Sequence, residues 1–312
     1  MKVLFLYGAT ASGKSDLALD LAHRYQGQIV NCDSIQIYKH LNIGSAKPGA
    51  EEQGEVPHHL FDFVEYPESF DAASYRRMAL DTLKVLEKKA CPLAIVVGGT
   101  GFYFQALEKG MYSAPDISPE ITSGLDKDLE LDGLSLLYQE MIKKDPILKN
   151  KISENDSYRT LRHLALIRSG HLPSQLEKEF DKESFPYPLF KVNLELDRES
   201  SSQRILQRVE KMLDKGFIDE VEGLRKAGYS DWPPMKSVGY LQVGEYLDGV
   251  IESKEALIEA IHIKTRQLAK RQRTWFRRDI EAYLLSDVAL QKKELLSEIQ
   301  KFINSGNSDQ RN

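Results

Sequence analysis

The sequence is poor in cysteine, in long apolar runs and in net charge. Its 312 residues include two cysteines, Cys32 and Cys91, which argues against a disulfide-rich scaffold or a zinc site of paired cysteines and favours a reducing cytoplasm. No apolar run is long enough to span a bilayer, and the first residues lack the pattern of a secretory signal peptide, so we predict no membrane association and no cleavable leader. The formal net charge of −5 argues against indiscriminate nucleic-acid binding.

What the sequence does contain is a phosphate-binding loop directly after its first strand. The apolar run at residues 3–7 is followed by Gly-Ala-Thr-Ala-Ser-Gly-Lys-Ser at residues 8–15, with a helical pattern behind it. A strand, a Gly-x-x-x-x-Gly-Lys-Ser turn and a helix form a P-loop, whose backbone N–H groups cradle phosphate oxygens. The motif indicates a bound di- or triphosphate, with Mg²⁺ on the hydroxyl of Ser15. The predicted phosphate-binding residues are Gly8, Thr10, Ala11, Ser12, Gly13, Lys14 and Ser15.

Further strand and helix patterns predict the architecture. Buried-strand patterns at 28–32, 92–97, 191–196 and 282–285 alternate with helical ones, so we predict an α/β fold with a P-loop NTPase-like parallel sheet flanked by helices. Residues 39–70 are rich in loop signals and are predicted to cover the ligand crevice. We assign the catalytic core to 1–112 and 186–304, a mostly helical insertion domain to 113–185 and a disordered tail to 305–312.

Two polar residues follow predicted strands and are candidates for chemistry. Asp33 comes after the second strand, and the carboxyl ends of parallel strands meet at one edge of a sheet, so it should lie near the P-loop and can act as a base. A turn or helix-cap aspartate is the alternative. The strand at 92–97 ends in Gly-Gly-Thr-Gly instead of the Mg²⁺-holding aspartate of P-loop ATPases, which disfavours a hydrolase. Thr100 offers a hydroxyl for a leaving group there.

Basic residues concentrate in the long helix predicted over 254–278. Between Lys264 and Arg278 there are seven basic residues and no acidic one. A phosphodiester backbone suits this stripe, although an ordinary charged surface helix is the alternative. In the insertion, a helix capped by Asn155 or Asp156 carries a smaller basic face, for which a solvated surface is the alternative. The members of the stripe are Arg266, Lys270, Arg273 and Arg277, and the smaller face has Arg159, Arg162 and His163.

Several segments together resemble the tRNA dimethylallyltransferase family, in the family's order over nearly the whole chain. They are the P-loop at 8–15, Asp-Ser-Ile-Gln-Ile-Tyr at 33–38, Ile-Gly-Ser-Ala-Lys-Pro at 43–48, Val-Pro-His-His-Leu at 56–60, Gly-Gly-Thr-Gly-Phe-Tyr at 98–103, Val-Gly-Tyr at 238–240 and Lys-Arg-Gln-Arg-Thr-Trp-Phe-Arg at 270–277. Members of this family transfer a dimethylallyl group from dimethylallyl diphosphate to the N6 amine of the adenosine adjacent (3′) to the anticodon, releasing diphosphate.

The resemblance implies roles for individual residues, with Mg²⁺ as cofactor. Asp33 corresponds to the general base and Thr100 to the residue that hydrogen-bonds the departing bridging oxygen, and Arg208 is implied in holding the diphosphate. The chain has Arg162-His163-Leu164-Ala165 where the family usually continues Arg-Ala-Leu-Glu, and it lacks the eukaryotic zinc finger, which implies a bacterial-type enzyme. The implied contacts with the tRNA anticodon stem-loop are Asp33, Ser34, Ile35, Gln36, Thr100, Arg159, Arg162, Lys236, Gly239 and Tyr240, together with the basic stripe.

Three other functions stay open at this point. The first is prenyl transfer to a free adenine nucleotide, as in adenylate isopentenyltransferases, and the second is a small-metabolite P-loop kinase with Asp33 as base. The third is a non-catalytic RNA-binding protein with a relict P-loop. The basic helix and the insertion favour RNA over a mononucleotide. No feature indicates an obligate protein partner.

Overall fold

A parallel β-sheet lies at the centre of the computed structural model, which describes residues 1–111, 115–179 and 184–305. The six strands are ordered β3-β2-β4-β1-β5-β6, and all their pairings are parallel. This confirms the predicted α/β fold with a parallel sheet. The strands are β1 (Lys2–Gly8), β2 (Gln28–Asn31), β3 (His58–His59), β4 (Leu93–Gly98), β5 (Leu189–Leu194) and β6 (Tyr283–Leu285).

Helices connect the strands. The α-helices over the described residues are α1 (Lys14–Tyr25), α2 (Ala50–Glu55), α3 (Ala72–Lys88), α4 (Gly101–Lys109), α5 (Pro119–Lys144), α6 (Ser157–Arg168), α7 (Pro173–Glu179), α8 (Arg198–Asp214), α9 (Phe217–Lys226), α10 (Tyr240–Leu247), α11 (Lys254–Phe276) and α12 (Val288–Asn304). Short 3₁₀ helices occupy Pro146–Asn150 and Pro233–Lys236. Among these helices, none combines the length and the apolar composition that crossing a bilayer requires.

The central strand β1 is buried on both faces, which is typical of a parallel sheet covered by helices. Leu4 and Leu6 pack in a cluster with residues of α1 and α12. On the opposite face, Phe5 and Tyr7 each lie with their ring centroids 5.2 Å from that of Phe104 in α4. Because helices bury both sides, the carboxyl end of β1 is where the strand leaves the core, and the P-loop begins there.

The chain forms two compact units. The first comprises Met1–Glu108 and Phe185–Asn312, and the second comprises Lys109–Ser184; the predicted insertion was 113–185. Within the second unit, the described residues form α5, a 3₁₀ helix, α6 and α7 around an apolar cluster that includes Leu137, Met141 and Leu164. The predicted boundary at 112–113 and residues 306–312 of the predicted tail lie outside the described residues.

The segment at 39–70 is mostly irregular and contains two short elements. They are α2 and the two-residue strand β3, in which His58 pairs with Ile29 and His59 with Val30. The sequence did not predict this strand, because two residues beside Pro57 are too few to show alternation. Lys47 is buried and pairs with Asp62, so it anchors this segment.

Candidate active site

The P-loop wraps from the end of β1 into the N-terminus of α1. Gly13 has φ of 93°, a left-handed conformation that favours glycine and that turns the chain into the helix. The N-terminus of α1 therefore opens towards the loop, where unpaired N–H groups attract anions. The Nζ of Lys14 donates a hydrogen bond to the Ala9 carbonyl at 2.7 Å, which holds the lysine across the loop.

Two cations and one carboxylate share this site. Burial, followed by the positive charge of Arg208, lowers the pKa of Lys14 to about 7, while the negative charge of Asp33 acts in the opposite direction. Burial also lowers the pKa of Arg208, and Asp33 again opposes the shift. Positive charge is thus in excess and incompletely compensated, so a bound anion would favour the protonated form of Lys14.

Binding of a diphosphate is expected to weaken above neutral pH. The anion needs protonated Lys14, whose pKa in the free protein is about 7, so binding takes up a proton and affinity falls by up to about tenfold per pH unit above that value. A diphosphate monoester has finished titrating by about pH 7.5. Titration calorimetry with a non-hydrolysable diphosphate monoester between pH 7.5 and 9 would measure this. Lys14→Arg keeps its charge and should remove the pH dependence; a flat wild-type profile would contradict the prediction.

Asp33 stands in a tight turn just after β2. Its backbone N–H donates to Asn31 Oδ1 at 3.0 Å, and its Oδ1 accepts from the Ile35 N–H at 2.9 Å. One carboxylate oxygen therefore closes the turn, as the alternative interpretation predicted. The other oxygen faces the end of β4, because a Cβ added to Gly99 would lie 3.7 Å from Asp33 Oδ2. The geometry leaves Oδ2 available for chemistry.

The end of β4 approaches this turn closely. A Cβ added to Gly98 would lie 2.0 Å from the Cys32 carbonyl oxygen, so only glycine fits. The Thr100 N–H donates to the same carbonyl at 3.2 Å. Its Oγ1 accepts from the Ser34 N–H at 2.9 Å and donates to Ser34 Oγ at 3.2 Å. Strand pairing and these bonds bring Asp33 and Thr100 to one edge.

Two adjoining cavities open on this edge. The first is lined by Lys14 and Ser15 of the P-loop together with Asp33. The second is lined by Asp33, Thr100 and residues of the segment around α10. The two cavities share part of their lining, which we call the common wall. The P-loop residues predicted to bind phosphate and the residues predicted to contact the tRNA therefore lie on either side of it. The residues that line both cavities are Thr10, Asp33, Ser45, Gly99, Arg208 and Gln272.

Several predicted tRNA contacts lie at these cavities, some of them engaged within the protein. Ser34, Ile35, Lys236 and Gly239 line the second cavity. The hydroxyl of Tyr240 donates to Glu220 at 2.7 Å. Gln36 Nε2 donates to the carbonyls of Ser45 and Ala46 at 3.1 and 3.0 Å. Gln36 thus bonds the covering segment at 39–70 directly, and Tyr240 bonds it through Glu220, which accepts from the N–H groups of residues 42–44. The contact of Tyr240 and Gln36 with RNA stays a prediction.

Glu220 and Gln272 were missed from the sequence. Glu220 accepts hydrogen bonds from the backbone N–H groups of residues 42, 43 and 44 at 3.0, 2.7 and 3.2 Å. Gln272 bonds both Thr10 and Gly99. A polar residue within a basic helix was the available signal for Gln272, whereas an acidic residue in an amphipathic helix gave none for Glu220.

The basic stripe borders a groove between the start of α8 and α11. Arg266 and Lys270 are exposed. Arg273 is half-buried and donates to Ser201 Oγ at 3.3 Å, and Arg277 forms an ion pair with Glu195. Among the four, Arg277 therefore has its charge compensated by a carboxylate, whereas Arg266 and Lys270 present theirs to solvent. Arg159 and Arg162 lie on α6 in the second unit, where both are exposed and Arg159 pairs with Asp156 at 2.9 Å.

Comparison with protein families gives two matches. A model described as IPP transferase matches residues 36–279, and one described as Isopentenyl transferase matches residues 1–63. The chain is 47% identical over 306 residues to a tRNA dimethylallyltransferase of Bdellovibrio bacteriovorus, covering 96% of this chain and 98% of the relative. It is 40% identical over 278 residues to a tRNA dimethylallyltransferase of Synechocystis sp., covering 89% and 88%.

Solved structures agree with these matches. A tRNA isopentenylpyrophosphate transferase from Bacillus halodurans superposes with a TM-score of 0.71 at 29% identity, covering 100% of this chain and 99% of the other. A eukaryotic dimethylallyltransferase acting on tRNA superposes with a TM-score of 0.81 at 26% identity, covering 97% of this chain and 79% of that one.

Proposed function

The chain belongs to the tRNA dimethylallyltransferase family, and from this membership we propose the course of its reaction. It is a prenyltransferase that modifies an adenosine of tRNA. The donor is dimethylallyl diphosphate, and the acceptor is the N6 amine of the adenosine 3′ to the anticodon. The bond between the allylic carbon and the bridging oxygen breaks, its electron pair leaves with the diphosphate, and a bond from nitrogen to that carbon forms.

One observation supports this reaction above all: Asp33 lines both the cavity of the P-loop and the cavity beside it. A donor bound through its diphosphate at Lys14 and an adenine entering from the second cavity would meet at this carboxylate. The Gly-Gly-Thr end of β4 offers no carboxylate for positioning Mg²⁺ as a P-loop ATPase does. A diphosphate that departs as a leaving group requires no attacking water.

The residues that line the two cavities have different roles in the reaction. Lys14, Arg208 and the P-loop N–H groups hold the diphosphate and stabilise the charge that it gains on departure. Asp33 accepts the proton that the amine loses on bonding to carbon. The Thr100 hydroxyl, which now donates to Ser34 Oγ, turns to the bridging oxygen. The bound RNA and the covering segment keep water from the allylic carbon.

The residues present fit Mg²⁺ as a cofactor held with the diphosphate. Ser15 is exposed on the wall of the first cavity beside Lys14. In the part of the chain that the structure describes, no three His, Cys, Asp or Glu side chains form a metal-binding group. Mg²⁺ at phosphate sites keeps several waters and takes one or two protein ligands, so the hydroxyl suffices. When bound, the ion neutralises charge on the diphosphate.

The acceptor base must leave the stack of the anticodon loop to reach Asp33. The second cavity is where we place the extruded adenine, with Ser34, Ile35 and Gln36 beside neighbouring bases. Phosphates of the anticodon stem-loop follow the basic stripe on α11, and Arg159 and Arg162 contribute from the second unit. The two unpaired thiols, Cys32 and Cys91, fit a reaction in the reducing cytoplasm.

Loss of one solvent-exposed positive charge in the stripe should weaken binding by a similar factor for tRNAs of different sequence. Lys270 is exposed, so Lys270→Ala is expected to reduce the salt slope of log affinity by about 1. Arg277→Ala is the matched control, because the ion pair with Glu195 already compensates its charge and its effect should be smaller. Filter binding of tRNA at several salt concentrations measures both slopes. A larger loss in Arg277→Ala than in Lys270→Ala would contradict the assignment.

The acceptor is tested by supplying three substrates in parallel. Labelled dimethylallyl diphosphate is incubated with the protein and unmodified tRNA, AMP or a transcript whose target adenosine is replaced by guanosine. We expect label in the unmodified tRNA alone. Label in AMP but not in tRNA would replace the proposal by adenylate prenylation. The match to the Isopentenyl transferase model spans only residues 1–63, whereas the basic stripe lies near the other end of the chain and favours RNA.

A further inference from the structure

The side chain of Gln272 joins two loops that the proposed reaction needs side by side. Its Oε1 accepts a hydrogen bond from the Thr10 N–H at 2.8 Å, and its Nε2 donates one to the Gly99 carbonyl at 2.9 Å. Thr10 belongs to the P-loop, and Gly99 precedes Thr100. Because both ends of one planar amide are bonded, a rigid group sets the separation of the two loops.

The helix that carries Gln272 is itself held against the sheet edge. Phe276 stacks on Tyr7 of β1, with ring centroids 4.6 Å apart. The indole ring of Trp275 packs directly against the start of α4, since a Cβ added to Gly101 would lie 2.2 Å from it. Helix α11 cannot shift relative to β1 and α4 without breaking these contacts. The backbone of α11 at Gln272 is therefore held in place by the packing of Trp275 and Phe276.

We propose that Gln272 is a positioning residue for prenyl transfer. It acts through Thr10 and Gly99, holding the diphosphate site at a fixed distance from the loop that bears Thr100. Gln272 lines both cavities, so this distance governs how the acceptor amine lines up with the allylic carbon. The inference rests on the proposed function. It adds that α11 supplies alignment at the reacting centre as well as positive charge for RNA.

The first test replaces the amide by a group of similar length without hydrogen bonds. In Gln272→Met, we expect the transfer rate at saturating donor and tRNA to fall about 30- to 100-fold, because small misplacements of reacting groups cost about this much. The KM for the donor and the Kd for tRNA should change less than about threefold. Gln300→Met, the same change at an exposed position of α12, is the control and should match wild type.

The second test restores the missing donor by pH. In Gln272→Glu, the ionised carboxylate can accept from the Thr10 N–H, but it has no hydrogen to donate and repels the Gly99 carbonyl oxygen. A protonated carboxyl can donate to that oxygen. The ratio of the variant rate to the wild-type rate should therefore rise between pH 7.5 and 5.5. Taking the ratio cancels the pH dependence that the two proteins share. A ratio that is constant or falls over this range would overturn the proposal.

A third measurement does not depend on activity. Hydrogen exchange of peptides covering Thr10 should be faster in Gln272→Met than in wild type, since the amide loses its acceptor, and unchanged in Gln300→Met. A transfer rate within about threefold of wild type, or a tRNA affinity that falls in parallel with the rate, would overturn the positioning role. If wild type itself transfers no label to tRNA, the proposed function fails, while the exchange data still test the Gln272 bridge.

Discussion

Asp33→Asn is expected to lower the rate of prenyl transfer by about 10²- to 10⁴-fold, the range typical of a lost general base. The replacement keeps the size of the side chain and its Oδ1, so the hydrogen bond from the Ile35 N–H at 2.9 Å can persist. It removes the negative charge of the carboxylate, whose Oδ2 faces the end of β4 and takes the proton of the amine in the proposed reaction. Single-turnover transfer of labelled donor to tRNA measures the rate, and tRNA affinity should change less than about threefold.

The matched control is Asp231→Asn, which removes a carboxylate from an exposed position. We expect it to react at the wild-type rate, so that a lower rate in Asp33→Asn can be attributed to the position of Asp33 in the site. If Asp33→Asn retains a rate within about tenfold of wild type, Asp33 is not the base. A loss of tRNA affinity equal to the loss of rate would assign Asp33 to RNA binding instead.

The elements with strong local signals were predicted well from the sequence. The sequence pattern predicts a helix from approximately residue 72 to residue 88, and α3 spans Ala72–Lys88. Asp71 caps its first turn by accepting from the Ser74 N–H at 2.7 Å. The sequence pattern predicts the next helix over residues 204–213, whereas α8 begins at Arg198. Asp197 caps it within a run of polar residues, and such a run hides the hydrophobic period of a helix.

The site was predictable where topology alone places residues. Asp33 lies at the sheet edge that carries the P-loop because both follow parallel strands, and this expectation needed no coordinates. The bonds of Gln272 to Thr10 and Gly99 and those of Glu220 to residues 42–44 join positions far apart in the chain. No local period encodes such pairs, since they depend on how helices pack over the sheet.

Gly98→Ala is expected to destabilise the protein by at least about 3 kcal/mol, or to prevent folding. The new Cβ would lie 2.0 Å from the Cys32 carbonyl oxygen and 2.2 Å from its carbon. Both are backbone atoms, so no side chain can move aside. Relief requires β4 to separate from the segment that carries Asp33, which breaks the 3.2 Å bond from the Thr100 N–H to Cys32. Transfer should be lost in any protein that folds.

Gly223→Ala is the control for this prediction. Gly223 lies within helix α9, and a Cβ added there meets nothing within 4 Å. Alanine is the better helix former, so this variant should be more stable than wild type by about 0.5–1 kcal/mol. Urea unfolding followed by circular dichroism compares the two. If Gly98→Ala unfolds within about 1 kcal/mol of wild type, then β4 and the Asp33 turn are not held as closely as this geometry requires, and the alignment of Thr100 with Asp33 must have another cause.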